Sequence, residues 1–178
     1  MMNTIECIKS RRSVREFSEQ KISHNILEQI VDAASFSPSW KNTQISRYVA
    51  IEDDKIKQRI AECAHVHNSE IINSAETIIV VTFIKNRCGF ERNGSFTTKR
   101  GDAWQMFDIG IATQTFCLAA HELGVSSVIL GVFDHEEVAK VIELSEEREV
   151  GAIIAIGYEK EHPTAPKRKT VEELLLYK

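Results

Sequence analysis

The residues with the clearest chemical potential are those of Arg11-Arg12-Ser13-Val14-Arg15, where three guanidinium groups and a hydroxyl fall within five positions beside an expected helix boundary. Guanidinium makes paired, charge-assisted bonds to phosphate oxygens, and backbone N–H groups at helix ends add partial positive charge, so this run suits a phosphate. On composition alone, a solvated basic turn is the commoner meaning of such a cluster. A second cluster, Lys167-Arg168-Lys169, stands near the C-terminus. Two basic clusters in a net acidic chain are what a bound dianion needs. A third feature is Ser37-Pro38-Ser39-Trp40-Lys41-Asn42-Thr43-Gln44, a loop of amides and hydroxyls. Asn and Gln can read a heterocycle edge with donor and acceptor together, although each residue singly is also a routine turn former. Cys7, Cys63, Cys88 and Cys117 are too far apart for a CxxC pair and have no His at ligand spacing, so neither a metal site nor a disulfide framework is expected. Cys117 reads as a small buried hydrophobe.

These groups must be positioned by a scaffold whose elements alternate. Thr4 to Lys9 reads as a short helix, and Ser23 to Ala34 as a second, with Ser23 as N-cap and Leu27, Ile30, Val31 and Ala34 on one face. Arg47 to Ile51 is a candidate strand, followed by a helix from about Asp54 to Cys63. Thr77 to Phe83 is a β-branched run that reads as a buried strand. Asn86 to Gly101 reads as an exposed loop that could face a substrate. Asp108 to Leu123 is a long helix closed by Gly124, apolar nearly all round, and part of its cover is expected from another subunit through a partner-facing Phe116. Ser127 to Leu130 and Ala152 to Ile156 are further strands. Between them Asp134 begins a helix with Glu137 as its capping-box partner.

The chain has 178 residues, 43% of them hydrophobic, which suffices for one domain spanning 1–178 with a sizeable core. Its formal charge is −4 and it carries no broad basic stripe, which argues against nucleic acid as the main partner. No stretch approaches the roughly 18 apolar residues of a membrane span, and the reading is a soluble, cytoplasmic protein without a membrane partner. Neither GxGxxG nor GxxxxGK is present.

Taken together and in order, these pieces resemble the FMN-dependent nitroreductase family. The resemblance rests on Arg-Arg-Ser-Val-Arg-Glu-Phe at 11–17, Ser-Pro-Ser-x-x-Asn-x-Gln at 37–44 and Asp-Ile-Gly-Ile-Ala-Thr-Gln from 108. It continues through Leu-Gly-Val-Ser-Ser-Val-Ile-Leu-Gly at 123–131 and Gly-Tyr-x-x-x-x-Pro, with Arg-Lys close behind. It implies an α+β domain with a central mixed or antiparallel sheet flanked by helices, in an intertwined homodimer with FMN at the interface. It also implies NADH or NADPH as electron donor and a ping-pong, two-electron reduction of nitro compounds, quinones or flavins. The flavin N5 would carry the chemistry, with no catalytic side chain and no metal. The alternative is a specialised flavin-binding or redox-responsive protein of the same fold with little general reductase activity.

Residue by residue, the resemblance assigns the phosphate and ribityl chain to Arg11, Arg12, Ser13 and Arg15. The same phosphate is reached from the tail by Lys167 and Lys169 if Pro166 sets the register, or by Arg168 if the Arg-Lys dipeptide does. Ser39, Asn42 and Gln44 would approach the flavin from the partner subunit. Ile129, Leu130 and Gly131 would turn backbone N–H groups toward flavin N5 and O4, and Asn68 could touch the ring. The chain departs from the pattern at Ile45 and Ser46, where the family often has Pro-Trp, and it has no room for the helical insertion of larger members.

Overall fold

Strands need a pleated surface that β-branched and aliphatic side chains pack well, and the run beginning at Thr77 supplies it. In a computed structural model, which describes residues 3–178, the elements run α1 (Thr4–Ser10), α2 (His24–Ser35), β1 (Ser46–Ile51), α3 (Asp54–Glu62), α4 (Val66–Ser74), β2 (Thr77–Ile84), α5 (Ala103–Glu122), β3 (Ser126–Leu130), α6 (His135–Val141), β4 (Arg148–Gly157) and α7 (Val171–Leu174). The four strands form one sheet in the order β1-β2-β4-β3, and every neighbouring pair is antiparallel.

The alternation of β2 and β4 divides the core into two layers. Ile78 and Val80 with Ile153 and Ala155 face α3, α4 and α6, whereas Ile79 and Val81 with Ile154 and Ile156 face α2 and α5. Both faces of the central strands are therefore covered, and for that reason β2 reads in the sequence as a continuous apolar run without alternation. The fold is α+β, as the resemblance implies.

Local signals set most of the boundaries. The Ser23 hydroxyl accepts from the Ile26 N–H at the start of α2, and Gly124 takes φ +75° just past α5, a conformation open to glycine at little cost. The Asp134 carboxylate accepts from the Glu136 and Glu137 N–H groups, which makes it the cap of α6. The Glu137 side chain instead pairs with Lys140 Nζ at 2.6 Å. Two differences from the sequence reading have tertiary causes. Helix α4 is rich in His, Asn and Ser, which are weak helix formers, and it holds through Ile71 and Ile72 packed in the core. Helix α5 begins five residues before Asp108. Its first turn is fixed by Trp104 against Trp40, with ring centroids 4.8 Å apart, and by Gln105 Oε1, which accepts from the Asn86 N–H at 2.7 Å.

Helix α5 also corrects the expectation for Phe116. Its ring is 0% exposed and packs within the chain's own core beside Tyr48, at 5.2 Å between centroids. The outward apolar positions of α5 are Met106 and Phe107, at 52% and 58% exposure, beside Gly110 and Ile111. Removing a fully buried phenyl group leaves a cavity as well as a transfer loss. Phe116→Ala should therefore lower unfolding stability by about 3–5 kcal/mol. Urea unfolding followed by circular dichroism measures this, and a loss below about 1 kcal/mol would contradict the burial.

Candidate functional site

Arg11 to Arg15 leaves α1 in extended form and lies along the outer edge of the sheet. Ser13 bridges Ser127 of β3 in parallel, and the Val14 N–H donates to the Ser127 carbonyl at 3.2 Å. The Val14 and Phe17 side chains are buried, which leaves Ser13 and Arg15 outside. The tail returns beside this segment: the Ser18 N–H donates to the Tyr158 carbonyl at 2.8 Å, and the Lys160 N–H to the Glu16 carbonyl at 3.2 Å. The two basic clusters thereby meet in a cavity of about 310 Å³ lined by Arg11, Arg12, Ser13, Arg15, Pro163, Thr164, Pro166 and Arg168.

Lys167, Arg168 and Lys169 are all exposed, and of the three Arg168 lines the cavity. The arginines of the first cluster also differ in what they are free to do. Arg12 NH1 donates to the carbonyls of Lys9, Ser10 and Arg11 at 2.7 to 3.0 Å and so closes the C-terminus of α1. Its Nε is buried with no protein partner. Arg15 NH1 folds back onto the Ser13 carbonyl at 3.1 Å. Arg11 sits at the junction with α5, where burial first and the Arg11 charge second hold His121 below the usual imidazole range. Pro163, which closes the Gly-Tyr-x-x-x-x-Pro motif, and Pro166, which set one register of the tail, both join the cavity wall, as does Thr164, which the sequence reading did not single out.

The 37–44 loop lies elsewhere on the chain. The Trp40 N–H donates to Asp108 Oδ2 at 2.9 Å, the Gln44 N–H to Ser39 Oγ at 3.0 Å, and Gln44 Nε2 to Asn42 Oδ1 at 3.0 Å. Lys41, Asn42 and Gln44 all adopt positive φ, at 44°, 55° and 48°, a region that non-glycine residues enter only when their surroundings enforce it. The Ser39 hydroxyl is thus engaged inside the loop, while Asn42 and Gln44 stay exposed. Ser39 and Gln44 line a second cavity of about 370 Å³ with Ala34, Tyr48, Asp108 and Ala112. Burial pushes the Tyr48 hydroxyl up to about 12, so it remains protonated at neutral pH. Asp108, 4% exposed, is the positioning group that sequence reading did not assign; an acid flanked by Phe107 and Ile109 in the first half of α5 was its signal. The two cavities share no lining residue.

At the end of β3 the three expected backbone donors separate. Because the Ser127 carbonyl faces the outer edge, the strand alternation turns the backbone of Ile129 the same way and that of Leu130 toward β4, where it pairs with Ile153. Leu130 is 4% exposed and packs in the core, while Ile129 is 46% exposed. Gly131 is exposed, with no heavy atom within 4 Å of where a Cβ would stand, so a flat ligand could approach its backbone closely. Asn68 Nδ2 donates to the Val132 carbonyl at 3.2 Å, which anchors the turn after Gly131.

The fold of this chain has counterparts among known proteins. The sequence profile described as the Nitroreductase family matches residues 8–158. A relative from Archaeoglobus fulgidus, named as an NADH dehydrogenase/NAD(P)H nitroreductase, is 29% identical over 88% of this chain and 87% of its own length. A nitroreductase family protein from Streptococcus pneumoniae TIGR4 shares the fold with a TM-score of 0.88 at 19% identity, covering 99% of this chain and 100% of that one. A protein of Exiguobacterium sibiricum 255-15 solved in complex with FMN superposes with a TM-score of 0.84 at 18% identity, over 100% of this chain and 98% of its own. With the family profile spanning most of its length, this chain belongs to the nitroreductase family, a family of oxidoreductases.

Proposed function

We propose that this chain is an FMN-dependent NAD(P)H oxidoreductase that works as a homodimer and reduces nitro compounds, quinones or free flavins by two electrons in a ping-pong sequence. The observation that carries the reading is the basic cavity, in which Arg11, Ser13, Arg15 and Arg168 converge although the net charge is negative. The residues fit the cofactor. An oxyanion in the cavity gives a counter-charge to the guanidinium groups of Arg11, Arg15 and Arg168, beside Arg12, whose Nε is buried without a partner. About 310 Å³ accommodates a phosphate and part of a ribityl chain but not a three-ring system, so the ring would lie outside, toward the open backbone at Gly131. When bound, FMN supplies a two-electron carrier that accepts hydride from the nicotinamide and delivers it to an acceptor.

The chain's own groups then have distinct roles. Arg11, Ser13, Arg15 and Arg168 hold the phosphate, with Lys167 and Lys169 adding only diffuse positive charge. The Ile129 and Gly131 backbone offers donors at the sheet edge. Ser39, Asn42 and Gln44 stand in a preformed loop that shares no residue with the basic cavity, an arrangement suited to a site completed by the loop of a second copy. The outward face of α5, Met106-Phe107-Gly110-Ile111, is the natural seat for that copy, because so large an apolar patch is otherwise left in water.

Steady-state kinetics test the reaction: with NADH or NADPH varied against a nitroaromatic, a quinone and free FMN, the double-reciprocal lines should run parallel for at least one acceptor. Absence of nicotinamide oxidation with every acceptor, in a protein loaded with FMN, would overturn the reductase. For the cofactor site, Arg11→Ala should weaken FMN binding by about 10-fold to 150-fold, the value of a lost charge-assisted contact, and Arg59→Ala on the exposed face of α3 should leave it unchanged. Equal retention in the two variants would remove Arg11 from the site. For the dimer, Phe107→Lys should weaken self-association by roughly 30-fold, as expected for a central aromatic anchor, and lower FMN occupancy in parallel. Sedimentation with simultaneous flavin absorbance reads both quantities, and a folded monomer with full FMN occupancy would show that the site is complete in one subunit.

A further inference from the structure

Glu159 stands just past β4, where the tail leaves the sheet. Its Oε2 accepts from Ser126 Oγ at 2.9 Å, at the first residue of β3, and its Oε1 lies 3.0 Å from His162 Nδ1. The same residue bridges Phe17 in the backbone ladder that carries the basic run. Immediately after His162 come Pro163 and Thr164, which with Pro166 and Arg168 form the tail side of the basic cavity. From 164 to 170 every residue is exposed, so little besides this anchor orders the stretch that presents Arg168.

We propose that Glu159 is a positioning residue for the basic cavity, whose carboxylate clasps Ser126 and His162 and thereby holds the Pro163–Arg168 wall against Arg11 and Ser13. The inference rests on the reading that this cavity takes the FMN phosphate. Ordering a chain segment costs conformational entropy, and an unanchored tail would draw that cost from the free energy of ligand binding. The clasp moves it into folding, so the wall stands ready before the phosphate arrives. The charge of Glu159 acts in the opposite sense, since a carboxylate near a phosphate repels it. A role through charge and a role through geometry therefore predict opposite effects on FMN.

Fluorescence titration of the full-length protein, freed of flavin, with FMN and with riboflavin separates the two. Riboflavin has the same ring and ribityl chain but no phosphate. Glu159→Ala and His162→Ala should each weaken FMN about fivefold, in the range of one lost hydrogen bond, while riboflavin affinity stays within twofold. Glu159→Gln keeps an acceptor and loses the charge, and should retain FMN within twofold. A threefold or larger loss confined to FMN supports the clasp. A smaller loss, tighter FMN binding in Glu159→Ala, an equal loss of both ligands, or a Glu159→Gln variant as weak as Glu159→Ala overturns it. His162 is half exposed, so His162→Ala decides the matter if Glu159→Ala does not fold. Arg11→Ala distinguishes the two levels: unchanged FMN binding there defeats the phosphate reading itself. Loss at Arg11 with no effect at Glu159 and His162 defeats the clasp alone.

Discussion

The candidate site depends on the pairing of residues 13–18 with the edge of the sheet. The Val14 N–H on the Ser127 carbonyl, the Ser18 N–H on the Tyr158 carbonyl and the Lys160 N–H on the Glu16 carbonyl tie together three pieces of chain that are far apart in sequence. Buried Val14 and Phe17 give this lacing its hydrophobic stability, since fully burying side chains of this kind contributes roughly 1.5–3 kcal/mol each. Once the segment lies on the edge, burial of Val14 and Phe17 in one core cluster leaves Arg15 and Glu16 exposed and Ser13 half-buried. Arg168 reaches the same place only because the tail is threaded alongside. The cationic cavity is therefore a consequence of strand pairing, and its charges are brought together against their own repulsion by backbone hydrogen bonds and apolar burial.

That repulsion explains how the arginines are arranged. Arg12 is drawn back onto the carbonyls that end α1, where the negative end of the helix dipole and three acceptors stabilise it. Arg15 curls onto the Ser13 carbonyl. Arg11 stands beside a His121 whose pKa is depressed, so the imidazole adds no further positive charge at neutral pH. Positive charge is held near the cavity without being stacked into one point, which keeps the empty state tolerable and leaves a net field for an anion.

How much of this was legible in the sequence follows from which interactions are local. Capping at Ser23 and the glycine turn at Gly124 involve neighbours within a few positions, and both appear as read. Strand β2 was legible because burial on both faces removes the polar residues that would blur it. Helix α4 and the first turn of α5 were not, since Ile71, Ile72 and Trp104 acquire their helical context only from partners elsewhere in the chain. The same division holds at the site. The Arg11–Arg15 run announces itself by composition, whereas which of Lys167, Arg168 and Lys169 lines the cavity depends on the path of an extended tail, and no periodicity encodes that path. Phe116 was misplaced because an all-round apolar helix tells how much cover it needs but not which residue receives it from which neighbour.

The 37–44 loop shows the opposite relation between chemistry and position. Three residues within four positions, Lys41, Asn42 and Gln44, sit at positive φ without the relief glycine would bring. Each such residue typically adds about 1–3 kcal/mol of strain, so the loop is held by its surroundings rather than by its own preferences. The holding groups are the Asp108 carboxylate on the Trp40 N–H, the Ser39 hydroxyl on the Gln44 N–H, and the Trp40–Trp104 contact. A buried carboxylate is expensive unless it is hydrogen-bonded, and Asp108 is placed where a backbone donor meets it. Strain maintained this way fixes the exposed Asn42 and Gln44 side chains in one geometry on a surface that the basic cavity of the same chain does not share. The loop and the basic cavity are thus built by separate sets of contacts, one around Asp108 and Trp104 and the other around the sheet edge.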